Sequence, residues 1–233
     1  MLYFSSAHDA LSDQILSPAE ELVILESIKI AVARRSMKSP IFSLLVLAIF
    51  WLHPAGELHA RGFEKYKAHT QYDEYFRKYS KRFFGPGFDW HYFKAQGIAE
   101  SNLNPNAKSW VGAQGIMQIM PRTFDEITRR GKYIQGLATE PRWNIAAGIW
   151  YNKNQFDYWH KGRSLEERIK FMYGSYNTGR TNLLKAQRKA INNGLNPRKW
   201  ESMKTALPLV TGKHSRETLT YVERIFHIKE AIK

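Results

Sequence analysis

The chain has 233 residues, of which 43% are apolar and 24% charged. That is enough to bury one medium-sized core, and it is far from the composition of a disordered or fibrous chain. Cysteine is absent, which excludes a disulfide frame, a thiolate zinc site and a lipid-modified N-terminal cysteine, while a formal charge of +14 favours anionic partners and says nothing about fold.

Near the N-terminus, residues 41–52 read IFSLLVLAIFWL, a run short of the roughly 20 apolar residues that a membrane-spanning helix needs. Lys38 precedes the run, Arg34 and Arg35 lie further back, and a more polar tail, His53 to Ala60, follows. This is the layout of a secretion signal, with Ala60 the best cleavage position although Leu58 fits poorly two places before it. Met37 opens a complete signal by itself. Residues 1–36 therefore read as an upstream extension from a mis-assigned start, 37–60 as a signal peptide and 61–233 as one folded domain. In a rival reading, Leu22, Ile24, Leu25, Ile28 and Val32 line an amphipathic helix ahead of the signal. The expected location is exported, in the periplasm or cell envelope, with membrane contact only through the signal or anchor segment 41–52.

From Arg61 onward the pattern is helical. Tyr72, Tyr75, Phe76 and Tyr79 recur three or four apart within Tyr66 to Phe83, and Gly85-Pro86-Gly87 breaks that segment. Asp89 is placed to cap a helix carrying Trp90, Phe93, Gly97 and Ile98. A turn with Asn104, Pro105 and Asn106 leads to a glycine-spaced run, Gly112 to Ile119, the one stretch suited to a small β-ribbon. Pro121 and Pro141 each suit the first turn of a helix. Phe124 and Ile127 face inward from the first of these, and Ile145, Ile149, Phe156 and Trp159 from the second. Ser164 with Glu167 has the spacing of a capping box, opening a helix through Leu165, Ile169 and Met172 to Ser175-Tyr176-Asn177. Further helices are expected over Thr181–Asn192, Pro197–Ala206 and Ser215–Ile232, the last burying Leu219, Val222, Ile225, Phe226 and Ile232. With no strand-like alternation and no repeat, the simplest solution is a mainly α, single compact domain.

The chemistry centres on Glu100. It stands at the end of a helix, in Ile98-Ala99-Glu100-Ser101, and no other acid occurs between Asp89 and Asp125. A carboxylic acid can protonate a glycosidic oxygen near neutral pH only if an apolar site raises its pKa. Ile98, Ala99, Met117, Ile119 and Met120 are the neighbours that could supply such walls. A lone surface glutamate is the bland alternative.

The surrounding pattern resembles the lytic transglycosylase family, whose catalytic domain has a goose-type-lysozyme-like α fold. The resemblance rests on Glu100-Ser101, Pro105-Asn106-Ala107, Ser109, Gly112-Ala113, Gly115, Met117-Gln118, Met120 and Pro121. Later come Ser175-Tyr176-Asn177, where the family has Ala-Tyr-Asn, and Glu217-Thr218 with Tyr221-Val222. Ile116 stands for the usual Leu. The stretch from Asn196-Pro197 through Trp200 to Leu209 looks like the membrane-bound F branch of that family, without its N-terminal solute-binding-like module.

The resemblance implies a peptidoglycan lytic transglycosylase with Glu100 as sole acid/base, cleaving the bond between N-acetylmuramic acid and N-acetylglucosamine with formation of a 1,6-anhydro sugar. It makes Ser101, Met117, Gln118, Tyr176, Asn177 and Tyr221 the substrate-side residues, with Tyr221 orienting Glu100. For four of them an alternative stands: Ser101 as a helix cap, Met117 as core filler, Gln118 as a pin for its own loop and Tyr221 as core; Glu217 reads as one half of an ion pair. Trp110 is a candidate for stacking on sugars. Expected partners are peptidoglycan glycan strands and envelope machinery. No cofactor is implied, the histidines lack ligand spacing for a metal, and nucleic acid is disfavoured by the export signal. The competing functions are a lysozyme-like muramidase and a non-catalytic wall-binding protein.

Overall fold

The computed structural model describes residues 62–131 and 133–233, and these are mostly helical. The readings of 1–36 and 37–60 lie outside the described residues. After a 3-10 turn at Lys65–Lys67, nine helices follow: α1 Asp73–Phe84, α2 His91–Ser101, α3 Pro121–Arg130, α4 Pro141–Tyr158, α5 Leu165–Thr178, α6 Arg180–Asn192, α7 Trp200–Ala206, α8 Pro208–Thr211 and α9 Ser215–Ile232. No sheet occurs among the described residues. The expected ribbon reduces to two isolated bridges, Lys108 with Gln114 and Gln114 with Ile119.

Local chemistry sets the boundaries. Pro121 and Pro141 open α3 and α4, where a missing N–H costs nothing. α1 ends on Gly85 at φ 96°, whose N–H returns to the Lys81 carbonyl. α2 ends on Asn102 in the left-handed region, its N–H reaching Ile98 O. Asp89 does meet the start of α2, its Oδ1 accepting from the His91 backbone N–H at 3.0 Å and lying 2.7 Å from the ring Nδ1 of the same residue.

Three boundary expectations change. The segment from Tyr66 does not run unbroken into α1, which starts at Asp73. The helix expected from Pro197 begins at Trp200. The capping box at Ser164 is half made: Ser164 Oγ accepts from Glu167 N–H at 3.3 Å, but the Glu167 carboxylate turns away and accepts the Trp200 N–H at 2.6 Å. Glu167 thus starts α7 instead of closing α5, which accounts for the late start at Trp200.

α5 is the hub, packed against α4, α6 and α9, while α9 also lies along α2 and α4 along α1. Ile145 to Ile149 of α4 are all buried, as are Phe93, Ile98, Phe171, Met172, Tyr173, Val222 and Ile225. Leu219 and Phe226, expected in the core, are half-buried, and Leu165 is exposed. Small residues let the layers close: a Cβ on Gly148 would lie 2.8 Å from Met117 Cβ, and one on Gly174 would lie 2.5 Å from the Trp200 ring. A buried pair, Lys94 Nζ to Asp73 Oδ1 at 2.8 Å, ties α1 to α2.

Gly174→Ala tests this packing. Alanine gains up to about 1 kcal/mol of helix propensity. The added methyl must displace an indole that is 3% exposed, and overpacking of this kind costs about 1–3 kcal/mol. A net loss of stability of about 1–2 kcal/mol is expected in urea denaturation.

Candidate active site

Glu100 sits in the last turn of α2, where the peptide dipoles already disfavour a negative charge. The residue is half-buried. Tyr221, projecting from α9, donates its hydroxyl to Glu100 Oε1 at 2.5 Å. Burial pushes the Glu100 pKa up from 4.5 to about 7. The Tyr221 hydrogen bond and the Arg224 guanidinium pull it down, and the Glu217 charge pushes it up. Desolvation therefore wins over two stabilising contacts. The carboxyl group holds a proton near neutrality, as a general acid must.

Facing it is the loop between α2 and α3, fixed by side chains from three helices. Ser101 Oγ donates to Ile116 O at 2.9 Å. Tyr176 of α5 donates to Met117 O at 2.7 Å. Asn144 of α4 is fully buried, accepting from Met117 N–H at 2.7 Å and donating to Gln114 O at 2.9 Å and Ala138 O at 2.8 Å. Gly115, at φ 75°, passes so close that a Cβ there would lie 2.5 Å from Asn144 Nδ2. Only glycine fits on both counts. Gln118 adopts a positive φ of 45°, and its amide donates to Ala107 O at 3.2 Å and Gly115 O at 3.0 Å.

Of the sequence-predicted residues, Glu100, Tyr221 and Tyr176 form one cluster, in which the charge on Glu100 helps hold both phenols in their protonated form. Ser101 and Gln118 brace the loop in this structure. Met117 is fully buried and contributes its backbone to the site. Asn177 lies beside α9, its Oδ1 accepting from Thr218 Oγ1 at 2.7 Å and its Nδ2 donating to Glu217 Oε1 at 3.4 Å. Glu217, expected in an ion pair, is here an acceptor for Asn177. Trp110 is 97% exposed at the loop tip, next to the half-exposed Val111. Asp89 is removed from any partnership with Glu100. It lies at the opposite end of α2, about 16 Å away along the axis, bound to His91 and 3.4 Å from Lys229.

Three residues escaped the sequence reading. Asn144 ties the loop, and Gln96 with Asn152 stands behind Tyr221: Gln96 Nε2 donates to Tyr221 Oη at 3.0 Å, and Asn152 Nδ2 donates to Gln96 Oε1 at 2.6 Å. A signal existed. Asn144, Gly148 and Asn152 recur every four residues along one face of α4, and Gln96 is one turn before Glu100. No group of three or more His, Cys, Asp or Glu suited to a metal ion occurs among the described residues, and no described helix is long and apolar enough to cross a membrane.

The helical packing around Glu100 and its glycine loop defines a fold class with known counterparts. The fold matches that of the 70-kDa soluble lytic transglycosylase of Escherichia coli, with a TM-score of 0.53 at 24% identity over 69% of this chain and 24% of that one. It also matches the complex of the 70-kDa soluble lytic transglycosylase with bulgecin A, at a TM-score of 0.53 and 22% identity over 72% of this chain and 25% of that one. The family model for the transglycosylase SLT domain matches residues 74–197, more than half the chain, and the chain belongs to that family. Among curated relatives, membrane-bound lytic murein transglycosylase F of Desulfosudis oleivorans is 31% identical over 163 residues, covering 63% of this chain and 34% of the relative. The protein of the same name from Haemophilus influenzae is 31% identical over 151 residues, covering 65% and 29%. The chain spans about a third of the length of these relatives.

The raised pKa has a stability consequence. An acid that binds its proton more tightly when folded makes the native state lose stability as pH rises from 4.5 to about 7, with no further loss above. Glu100→Gln removes the ionisation. At about 1.36 kcal/mol per unit, discounted for the part-exposed residue, the variant should exceed the parent by about 2–3 kcal/mol above pH 7. The gap should vanish towards pH 4.5 in thermal melts across that range.

Proposed function

We propose that this chain is a peptidoglycan lytic transglycosylase, acting at the bond between N-acetylmuramic acid and N-acetylglucosamine with Glu100 as its only acid/base. The observation that carries the reading is a carboxyl group pushed to about 7 by burial and held by Tyr221. The chain's family membership and its relatives named lytic murein transglycosylase support the substrate. Protonated Glu100 donates to the glycosidic oxygen as the bond from that oxygen to the muramic anomeric carbon breaks. The muramic 2-acetamido group supports the positive charge that develops. Glu100, now a carboxylate, takes the proton of the muramic 6-hydroxyl, and that oxygen closes on the anomeric carbon. The sugar leaves as a 1,6-anhydro product, Glu100 is again protonated, and no water is consumed.

A two-carboxylate hydrolase needs a second acid about 5–9.5 Å away. Glu217 is the carboxylate whose field reaches Glu100, yet it is exposed and accepts from Asn177, a poor setting for a nucleophile. The same reading locates the protein in the cell envelope, where its basic surface meets an anionic wall.

Digestion of purified sacculi with mass analysis of the released muropeptides tests the proposal. The expected products are lighter by one water than hydrolysis products and resist borohydride reduction. Reducible ends would make the protein a muramidase instead. Glu100→Gln should lower the rate by at least ~100-fold, as loss of a general acid does. kcat/KM of the parent should fall as pH rises through about 7. Wall clearance by the variant at the parent rate would remove Glu100 as the acid, and no clearance by the parent would return the chain to a binding role.

A further inference from the structure

The Tyr221 hydroxyl has one proton to give and lone pairs to receive with, so the bond to Glu100 can run either way. Which way it runs decides where the proton of neutral Glu100 sits. Two buried amides behind Tyr221 point to one direction. Gln96 and Asn152 are both 0% exposed. Asn152 Nδ2 donates to Gln96 Oε1 at 2.6 Å, which turns the Gln96 amide so that its Nε2 faces Tyr221 and donates to Oη at 3.0 Å. With its oxygen already receiving, Tyr221 gives its proton forward to Glu100 Oε1. Donors therefore point the same way from α4 through α2 and α9 back to α2.

We infer that Gln96 and Asn152 are positioning residues that act through Tyr221, holding its hydroxyl as a donor so that the proton of neutral Glu100 is confined to Oε2. This rests on the reading of Glu100 as the acid. A proton on Oε1 would meet the Tyr221 O–H head on. Oε2 has no hydrogen-bond partner among the described residues, and its proton is free for a glycosidic oxygen. Without the Gln96 N–H, the Tyr221 oxygen is open. Neutral Glu100 can then donate backwards to the phenol, in a form that cannot protonate substrate. The chain also strengthens the donor that Tyr221 presents to the carboxylate, since linked hydrogen bonds polarise one another.

The charged and titratable groups acting on Glu100 are Tyr221, Arg224 and Glu217 on α9, with Tyr176 on α5 and Tyr151 of α4 packed edge-on behind it. Of these only Tyr221 bonds to Gln96, and none bonds to Asn152, so a shift in the Glu100 titration reads the chain itself.

The test is Gln96→Met, which keeps volume and removes the donor, with Asn152→Leu, which keeps volume and frees the Gln96 amide to turn. Glu100 is titrated by carbon NMR on carboxyl-labelled protein without substrate, and kcat and KM are measured on glycan strands. Melting temperatures confirm that each variant is folded. In Gln96→Met the Glu100 pKa should rise and kcat fall roughly tenfold with KM nearly unchanged, as when an interaction made only in the transition state is lost. Asn152→Leu should shift both in the same direction by less. A folded variant with a lower melting temperature but the parent's titration and kcat would overturn the inference, leaving the amides as core filling. Should Gln96→Met fail to fold, Asn152→Leu alone decides on the same criteria. The titration reads the chain even if the parent cleaves no glycan, so failure of the proposed function and failure of this inference are separable.

Discussion

A carboxyl group out of water must either keep its proton or find donors, and the site around Glu100 is built on the balance between the two. The Tyr221 hydroxyl reaches it across 121 residues of sequence, so the contact exists only if α9 lies along α2. That packing is supplied by ordinary apolar burial, with Val222, Ile225, Ile228 and Ile232 on one side and Phe93 and Ile98 on the other. The core thus sets the acid's environment, and the acid weakens the core's net stability in return, since an ionised glutamate in this position is disfavoured.

The loop facing Glu100 shows the second economy of the structure. It has almost no regular pairing of its own, yet its carbonyls at Ala107, Gln114, Gly115, Ile116 and Met117 and the Met117 N–H are each met by a side chain. Buried backbone polar groups need partners, and here helices α2, α4 and α5 provide them from outside. Rigidity of this kind lets a loop present a fixed wall to a ligand without becoming a sheet.

Much of this was legible in the sequence, for stated physical reasons. Proline marks a helix start because its lost N–H is harmless there, so Pro121 and Pro141 gave boundaries to the residue. Glu100 and Tyr221 were legible through spacing and resemblance. Gln96, Asn144 and Asn152 left only a spacing signal, because a buried amide and a solvent-facing amide look alike until the helix packing is known. The capping box misled because Glu167 had two candidate N–H partners, one local and one 33 residues away, and pattern reading ranks the local one first. Trp200 shows the same limit from the other side: its helix begins where a distant carboxylate caps it.

The hydroxyl of Ser175 has a definite employment. It is fully buried and accepts the indole N–H of Trp159 at 2.8 Å, relieving what would otherwise be an orphaned donor in a dry interior. The two positions are therefore chemically married. Changing Ser175 to alanine without also exchanging Trp159 for a ring lacking N–H would leave a stranded dipole, so the cost of a change at one position depends on the residue at the other.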